Sequence, residues 1–215
     1  NVACQGDSTG SIDLTITGGT LPYNYLWSNG QTVEDINNLP TGIYNFTITD
    51  ANACSYSDMV NISEPEFPLS LQIDTLNVDC YNDSTGSITL NVSGGTTPYQ
   101  YLWSDGQTVS MISGIPVGNY FVTITDTNLC TIVDSITITG PDSALSSSLQ
   151  IVNIDCYGDS TGAINLSVYG GTTPYSYLWS NGETSQDISN IPAGNYSITI
   201  TDRNLCLLII DTIVS

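Results

Sequence analysis

Strand-like patterning runs through the whole sequence and predicts an all-β protein. Segments in which apolar and polar residues alternate are separated by turn residues roughly every 8 to 12 positions. The neutral polar residues are mostly Thr, Ser and Asn, which suit strands and turns better than helices. No window shows the 3.6-residue apolar period of a helix. These features are typical of small antiparallel β-sandwiches of immunoglobulin-like type.

The chain consists of three tandem copies of one unit. Residues 4–54, 80–130 and 156–206 align without a gap, and 28 of these 51 positions are identical in all three copies. The repeat period is 76 residues. A period of this length predicts three separate domains rather than one large one.

Two Pro-containing segments separate the copies. They lie at 64–68 and 140–143, where a residue without a backbone N–H interrupts strand pairing. We therefore expect domains at 1–66, 67–141 and 142–215, arranged as an extended rod. The first domain lacks the strand that precedes Asn77 and Asn153 in the others.

Five strands are predicted in the middle copy, which is the most complete. They cover residues 69–78, 87–92, 99–104, 120–125 and 131–139, and the last two are expected to form a hairpin. In the third copy Asp211 lies five residues beyond Cys206, whereas Asp58 lies four residues beyond Cys54. This extra residue predicts a bulge or a slipped register in the last strand.

Two local motifs precede strands in every copy. The sequence Pro-x-Gly-x-Tyr predicts a tyrosine corner, in which the hydroxyl of Tyr44, Tyr120 or Tyr196 bonds back to the preceding turn. Paired glycines at 18–19, 94–95 and 170–171 predict sharp strand connections with positive φ.

The charge balance excludes several classes of protein. One basic residue, Arg203, stands against 21 acidic residues, and the formal net charge is −20. Nucleic-acid binding is excluded because it needs clustered Lys and Arg, and anionic membrane surfaces are excluded for the same reason. No apolar run approaches the roughly 18 residues needed for membrane insertion. Without His or Lys most catalytic arrangements are missing, so we expect no enzyme activity and no required cofactor.

A set of ordered motifs resembles the SprB repeat family. They are Cys-x-x-Asp-Ser-Thr-Gly-x-Ile-x-Leu, then Gly-Gly-Thr-x-Pro-Tyr-x-Tyr-Leu-Trp-Ser-x-Gly, then Pro-x-Gly-x-Tyr and Thr-Asp-x-Asn-x-Cys. That family occurs in tandem in very large surface adhesins of gliding Bacteroidota, which are exported by the type IX secretion system. The resemblance implies a stalk or filament segment of a secreted cell-surface adhesin of the gliding-motility type. Its expected partners are neighbouring repeats of the same long chain and filament copies.

The cysteines predict disulfides and an oxidising, extracellular compartment. Pairing within repeats would join Cys4 with Cys54, Cys80 with Cys130 and Cys156 with Cys206, and each loop would contribute about 4 kcal/mol in the chain-entropy model. The two cysteines of a repeat, however, fall near opposite poles of a simple sandwich. A staggered pairing would therefore join Cys4 with Cys130 and Cys80 with Cys206, and it would leave Cys54 and Cys156 without partners. Both pairings are open at this point.

Calcium is the metal that the composition favours, because calcium prefers carboxylate and carbonyl oxygens, whereas zinc needs closely spaced thiolates. Candidate ligands recur beside flexible turns at Asp7, Asp50, Asp83, Asp126, Asp159 and Asp202. The alternative interpretation is that these carboxylates cap turns through Asx hydrogen bonds.

Short Asp-Ser and Asp-Thr sequences resemble the O-glycosylation acceptor pattern of Bacteroidota. The candidate acceptors are Ser8, Thr75, Ser84, Ser135, Ser143 and Ser160. The alternative is that these hydroxyls belong to ordinary turns.

Aromatic residues suggest a second function, a multivalent carbohydrate-binding array. In the segment 23–27 the period of two places both tyrosines and the tryptophan on one face of a strand. An exposed row of rings would stack on sugars of a surface polysaccharide. The candidates are Tyr23, Tyr25, Trp27, Tyr99, Tyr101, Trp103, Tyr175, Tyr177 and Trp179. Burial in the core is the alternative, and it is more typical of one Trp per small sandwich.

Overall fold

The computed structural model describes residues 1–215 and consists of β-strands joined by turns and loops. The first copy contains β1 (Gly10–Ile12), β2 (Asn24–Trp27), β3 (Ile36–Leu39), β4 (Gly42–Thr49) and β5 (Ser55–Ile62). The second contains β6 (Ser70–Leu76), β7 (Gly86–Ser93), β8 (Gln100–Trp103), β9 (Met111–Ile115), β10 (Gly118–Thr125) and β11 (Thr131–Ile138). The third contains β12 (Ser146–Val152), β13 (Gly162–Tyr169), β14 (Ser176–Trp179), β15 (Ile188–Ile191), β16 (Gly194–Thr201) and β17 (Leu207–Val214). No helix is long and apolar enough to cross a membrane.

The strands of each copy form two sheets with a recurring order. The sheets are β12-β13-β15 and β14-β16-β17 in the third copy, β6-β7-β9 and β8-β10-β11 in the second, and β1-β3 and β2-β4-β5 in the first. In immunoglobulin nomenclature the complete sets correspond to strands A-B-E and C-F-G. A buried Trp on strand C and a Tyr at the start of strand F complete the match. The predicted all-β, immunoglobulin-like fold is confirmed.

The chain separates into two compact units. Unit 1 comprises Asn1–Ile73, Leu90–Ser110 and Phe121–Ser135, and unit 2 comprises Asp74–Thr89, Met111–Tyr120 and Ile136–Ser215. Each unit therefore contains one whole terminal copy and part of the middle copy. The domain limits at 1–66, 67–141 and 142–215 stay predictions from the repeat period.

The core of the third copy, in unit 2, follows directly from alternation along its strands. On β16 the side chains of Tyr196, Ile198 and Ile200 are buried, while the residues between them face outward. They pack with Ile164, Leu166, Trp179, Ile188, Ile191 and Val214. Each such aliphatic side chain contributes about 1.5–3 kcal/mol on burial, so the core is the main stabilising feature of the copy.

The first copy, in unit 1, has the same core with one side less covered. Trp27 packs on Phe46 with ring centroids 5.1 Å apart. Strand β1 has only three residues and pairs with β3 alone, so Leu14 is half-buried where its counterpart Leu166 is 2% exposed. A groove of about 400 Å³ results, lined by Leu14, Thr15, Ile16, Thr17, Phe46, Ile48 and Tyr56.

The predicted strands of the middle copy are present, and one further strand was missed. Strand β9 escapes the pattern because Gly114, with a φ of 68°, interrupts its alternation.

The predicted bulge in the last strand of the third copy is wrong. Strand β17 pairs with β16 without any shift, and Ile210 stands opposite Ile198 where Asp58 stands opposite Phe46 in the first copy. In the third copy the Asp211 carboxylate lies one position further along the strand than Asp58 does in the first, on the outer face and opposite Ser197, while the backbone register is the same.

Both predicted turn motifs are confirmed. The hydroxyls of Tyr44, Tyr120 and Tyr196 donate to the carbonyls of Pro40, Pro116 and Pro192 at 3.0, 2.9 and 3.0 Å. All six paired glycines have positive φ. A Cβ at Gly94 would lie 1.9 Å from the Pro68 carbonyl oxygen, and one at Gly170 would lie 2.0 Å from the Ala144 carbonyl oxygen. Gly94 and Gly170 are therefore required, because the backbone at Pro68 and at Ala144 passes too close to these turns for any side chain.

Candidate functional site

Two disulfides join successive repeats. Cys4 bonds to Cys130 and Cys80 bonds to Cys206, each with a Cα–Cα distance of 5.7 Å and a sequence separation of 126 residues. Cys54 and Cys156 are exposed free thiols. The structure therefore contains the staggered pairing, and we call each set of contacts around a disulfide a joint.

Pairing within a repeat is prevented by strand length. The Val2 N–H donates to the Ser63 carbonyl at 2.8 Å, so Cys4 lies near the end of β5. Cys54 lies just before Ser55, the first residue of the same strand. A strand of eight residues spans about 27 Å, whereas a disulfide needs Cα atoms within roughly 7 Å. The predicted pairing of Cys4 with Cys54, and of their counterparts, is therefore wrong.

An aspartate clamp fixes the second cysteine of each repeat. Asp126 follows β10, and its Oδ1 accepts the backbone N–H groups of Asn128 and Cys130, both at 2.9 Å. Its Oδ2 accepts the Thr96 N–H at 2.8 Å. Asp202 repeats the arrangement with Asn204, Cys206 and Thr172 at 2.9, 2.9 and 2.8 Å. Both carboxylates are almost fully buried, at 2% and 3% exposed.

The asparagine of the same loop reaches the preceding repeat. Asn128 Nδ2 donates to Thr96 Oγ1 at 3.0 Å and to the Ala3 carbonyl at 3.1 Å. Asn204 Nδ2 donates to Thr172 Oγ1 at 3.3 Å and to the Asp79 carbonyl at 2.9 Å. The motif Thr-Asp-x-Asn-x-Cys is thereby explained: Asp holds the loop, Asn bridges two repeats and Cys crosslinks them. The sequence interpretation missed the bridging asparagines, although their repetition in all three copies was the available signal.

The linker adds contacts to the joint in unit 1. The Gly6 N–H donates to Glu64 Oε2 at 2.7 Å, and Gln5 Nε2 donates to the Glu66 carbonyl at 3.0 Å. A cavity of about 400 Å³ lies beside them, lined partly by Cys4, Phe67 and Cys130. Closing a loop of 126 residues contributes about 5 kcal/mol in the chain-entropy model, so the joint is a strong constraint.

The same clamp is present in the first repeat, at Asp50. Its Oδ1 accepts the N–H groups of Asn52 and Cys54, both at 2.9 Å, and its Oδ2 accepts the Thr20 N–H at 3.0 Å. Hydrogen bonds from the backbone of Cys54 above all, and from Thr20 and Asn52, hold the pKa of the Asp50 carboxyl below its usual value. The charged form is therefore the one that the fold stabilises.

The six predicted calcium ligands are not brought together. The clamp residues Asp50, Asp126 and Asp202 bind backbone N–H groups, as the Asx interpretation predicts. Asp7, Asp83 and Asp159 lie exposed in another loop, where their own N–H groups donate to the carbonyls of Cys4, Cys80 and Cys156. No three Asp, Glu, Cys or His side chains are placed to hold a metal ion. Calcium binding stays a prediction that this geometry does not support.

The predicted exposed row of rings is wrong at its tryptophans. Trp27, Trp103 and Trp179 are 2%, 2% and 1% exposed, and each indole N–H donates to a backbone carbonyl at 2.8–2.9 Å. Tyr23, Tyr99 and Tyr175 donate their hydroxyls to the carbonyls of Gly18, Gly94 and Gly170, which fixes the glycine turns. Tyr25, Tyr101 and Tyr177 are half-buried. These strands therefore carry core residues rather than a sugar platform.

The predicted glycosylation acceptors are all exposed. Ser8, Ser84 and Ser160 lie in the loop after the first cysteine of each repeat, Ser143 lies in a linker, Thr75 lies in β6 and Ser135 lies in β11. Their accessibility is compatible with modification, which stays a prediction.

A comparison with sequence families finds one match to each copy. The profile of the SprB repeat matches residues 1–32, 73–108 and 148–184. Three segments of the chain, one in each copy, thus match the SprB repeat. Each matched segment includes the first cysteine and the core Trp of its copy, while the clamp loops at 50–54, 126–130 and 202–206 lie outside it. No curated protein matches the chain.

Several solved structures are similar to this chain at low sequence identity, and three of them have immunoglobulin domains in their names or the same kind of tandem arrangement of extracellular domains. Drosophila OTK extracellular domains 3-5 match at 13% identity and a TM-score of 0.38, covering 96% of this chain and 91% of theirs. The N-terminal eight Ig domains of DSCAM match at 12% identity and a TM-score of 0.39, covering 89% of this chain and 32% of theirs. The amphioxus IgVJ-C2 molecule matches at 14% identity and a TM-score of 0.32, covering 64% of this chain and 99% of that one. The fold assignment itself rests on strand order and on the Trp and Tyr positions.

Proposed function

We propose that this chain is a stalk or filament segment of a large secreted cell-surface adhesin of the gliding-motility type. The SprB repeats and the tandem immunoglobulin-like domains support a repeat segment of an adhesin-type surface protein. The disulfides support an extracellular location, because such bonds persist in oxidising compartments. The role is mechanical: the segment spaces a distal binding domain from the cell.

The disulfide joints are the observation that carries this proposal. Each links a repeat to the next one rather than closing a loop within a repeat. A pulling force on the two ends therefore meets covalent bonds at both joints, and separating neighbouring repeats requires bond cleavage or unfolding. The carboxylates at the joints are occupied by backbone N–H groups, which supports a structural role rather than a catalytic one.

A carbohydrate-binding function is the less favoured alternative. Its sugar platform needs the three tryptophan rings at the surface, and these rings are buried. We therefore propose the stalk alone.

Stretching the chain from its two termini tests the stalk. With both disulfides intact, the shortest covalent path follows residues 1–4, 80–130 and 206–215, about 65 residues or roughly 230 Å at full extension. The reduced chain of 215 residues extends to roughly 750 Å. Single-molecule stretching of the Cys54→Ser/Cys156→Ser variant should show these two limits before and after reduction.

A triple variant provides the matched control. Adding Cys4→Ser opens one joint and lengthens the path to about 90 residues, roughly 315 Å. Equal extension of the oxidised and reduced chains would show that the joints do not resist tension, and the stalk would then be rejected.

A further inference from the structure

The two free cysteines are counterparts of cysteines that form joints elsewhere in the chain. Cys54 occupies the position of Cys130 and Cys206, which lie just before the last strand of their repeats. Cys156 occupies the position of Cys4 and Cys80, which precede the first loop. Each thiol therefore belongs to one half of a joint that the structure shows twice in its complete form.

The half around Cys54 has the conformation of a bonded joint. The Asp50 clamp holds Cys54 at 2.9 Å, the distance found for Asp126 with Cys130. Asn52 Nδ2 donates to Thr20 Oγ1 at 3.0 Å, as Asn128 does to Thr96. In the two complete joints, the side-chain amides of Asn128 and Asn204 also donate to a backbone carbonyl of the neighbouring repeat. The Asn52 amide is thus placed to donate to a partner carbonyl.

The half around Cys156 also has the bonded conformation. The Asp155 N–H donates to Thr161 Oγ1 at 3.1 Å, as the Asp79 N–H does to Thr85 Oγ1 at 3.0 Å. The Asp155 carbonyl therefore corresponds to the Asp79 carbonyl, which accepts the bridging asparagine. The neighbouring ring of Tyr157 is 104% exposed, whereas the equivalent Tyr81 beside a complete joint is 45% exposed. The Cys156 side thus offers the surface that a complete joint covers.

We propose that these two faces are the complementary halves of a joint and that a second copy of this chain binds by pairing its Cys156 face with the Cys54 face of the first. Cys156 of one copy bonds to Cys54 of the next, and Asn52 donates to the Asp155 carbonyl. Because the two faces differ, the contact is head-to-tail and can repeat along a line of copies.

The bond forms by thiol–disulfide exchange with glutathione disulfide. The Cys156 thiolate attacks one glutathione sulfur and releases one glutathione thiolate, which takes up the proton that Cys156 lost. The Cys54 thiolate of the other copy then attacks the Cys156 sulfur and releases the second glutathione. Two protein thiols are oxidised to one disulfide, and one glutathione disulfide is reduced to two thiols.

Single-cysteine variants test the pairing. Cys54→Ser retains only the Cys156 thiol, and Cys156→Ser retains only the Cys54 thiol. Each variant alone should stay monomeric in a glutathione redox buffer, and an equimolar mixture should give one dimer. Mass spectrometry of an unreduced digest should identify a Cys54–Cys156 crosslink, with at least tenfold less of either symmetric product. A statistical 1:2:1 mixture of dimers, or no crosslinking at all, would overturn the proposal.

The Asn52→Ala variant tests docking separately from thiol chemistry. In a Cys156→Ser background it should slow crosslinking to Cys54→Ser about fivefold, the equivalent of one hydrogen bond. Asn24→Ala, an exposed position on β2, is the matched control and should leave the rate unchanged. Reaction of Cys54 with a small aromatic disulfide should proceed equally fast in both. An unchanged crosslinking rate in Asn52→Ala would show that the two faces do not dock as in the existing joints.

Discussion

At the scale of single residues, one carboxylate organises each joint. A buried carboxylate is costly unless hydrogen bonds satisfy it, and Asp202 satisfies its oxygens entirely with backbone N–H groups from two loops. The three N–H groups would otherwise be unpaired in a partly buried place. Asp202 therefore fixes the conformation of the loop that presents Cys206, without contributing to the disulfide itself.

Replacing Asp202 by Ala should destabilise the third repeat by about 3 kcal/mol. Three charge-assisted hydrogen bonds are lost, and their donors are left without an acceptor. Urea unfolding followed by fluorescence of Trp179 in a Trp27→Phe/Trp103→Phe background measures the change. Asp211→Ala, at an exposed position on β17, is the control and should change stability by less than about 0.5 kcal/mol. Equal effects of the two substitutions would contradict the role assigned to Asp202.

Residue identities were easier to predict from the sequence than residue partners. The hydroxyl bonds of Tyr44 and its counterparts are local, so a five-residue motif was enough to predict them. The bond between Cys4 and Cys130 spans 126 residues and depends on where strand ends lie in three dimensions. Spacing alone left two pairings open, and only the position of Cys54 at the far end of β5 decided between them.

At the scale of elements, strand prediction succeeded where alternation is regular and failed where it is not. Strands β7 and β13 alternate buried and less buried residues over most of their length, and the pattern in the sequence is visible. Strand β9 carries a glycine with positive φ and was missed. The predicted register slip in β17 is wrong, because the extra residue places Asp211 on the outer face while the backbone keeps its register.

The groove beside β1 predicts the effect of adding a strand. In the third repeat, β12 pairs with β13 along seven residues, from Ser146 opposite Tyr169 to Val152 opposite Ala163. Placing the sequence of residues 144–152 before Asn1 should supply the equivalent strand in the first repeat. Completing the burial of Leu14 and Ile16 should raise the free energy of unfolding by roughly 2–3 kcal/mol.

Chemical denaturation of the extended and original chains measures this gain. An extension of equal length made of Gly and Ser is the control, because it cannot fill the groove. If both extensions have the same effect, the groove is not a strand-binding site.

At the scale of the whole molecule, the repeat multiplies modest local charges. The net charge of −20 leaves copies of the chain repelling one another over about 8 Å at physiological salt. Repulsion of this kind opposes sideways association while leaving short-range contacts at joints intact. A strongly anionic chain of repeats therefore favours end-to-end extension over lateral packing.

Small-angle X-ray scattering of the monomeric Cys54→Ser/Cys156→Ser variant tests the rod expected from the sequence. Three sandwiches placed end to end, each about 33 Å long, reach on the order of 100 Å and have a radius of gyration of about 30 Å. A compact globule of 215 residues has a radius of gyration of about 17 Å. We expect the larger value at both low and high salt, because the disulfides between repeats do not depend on ionic strength. A value near 17 Å would exclude the rod, and a shift between the two with salt would show that charge alone extends the chain.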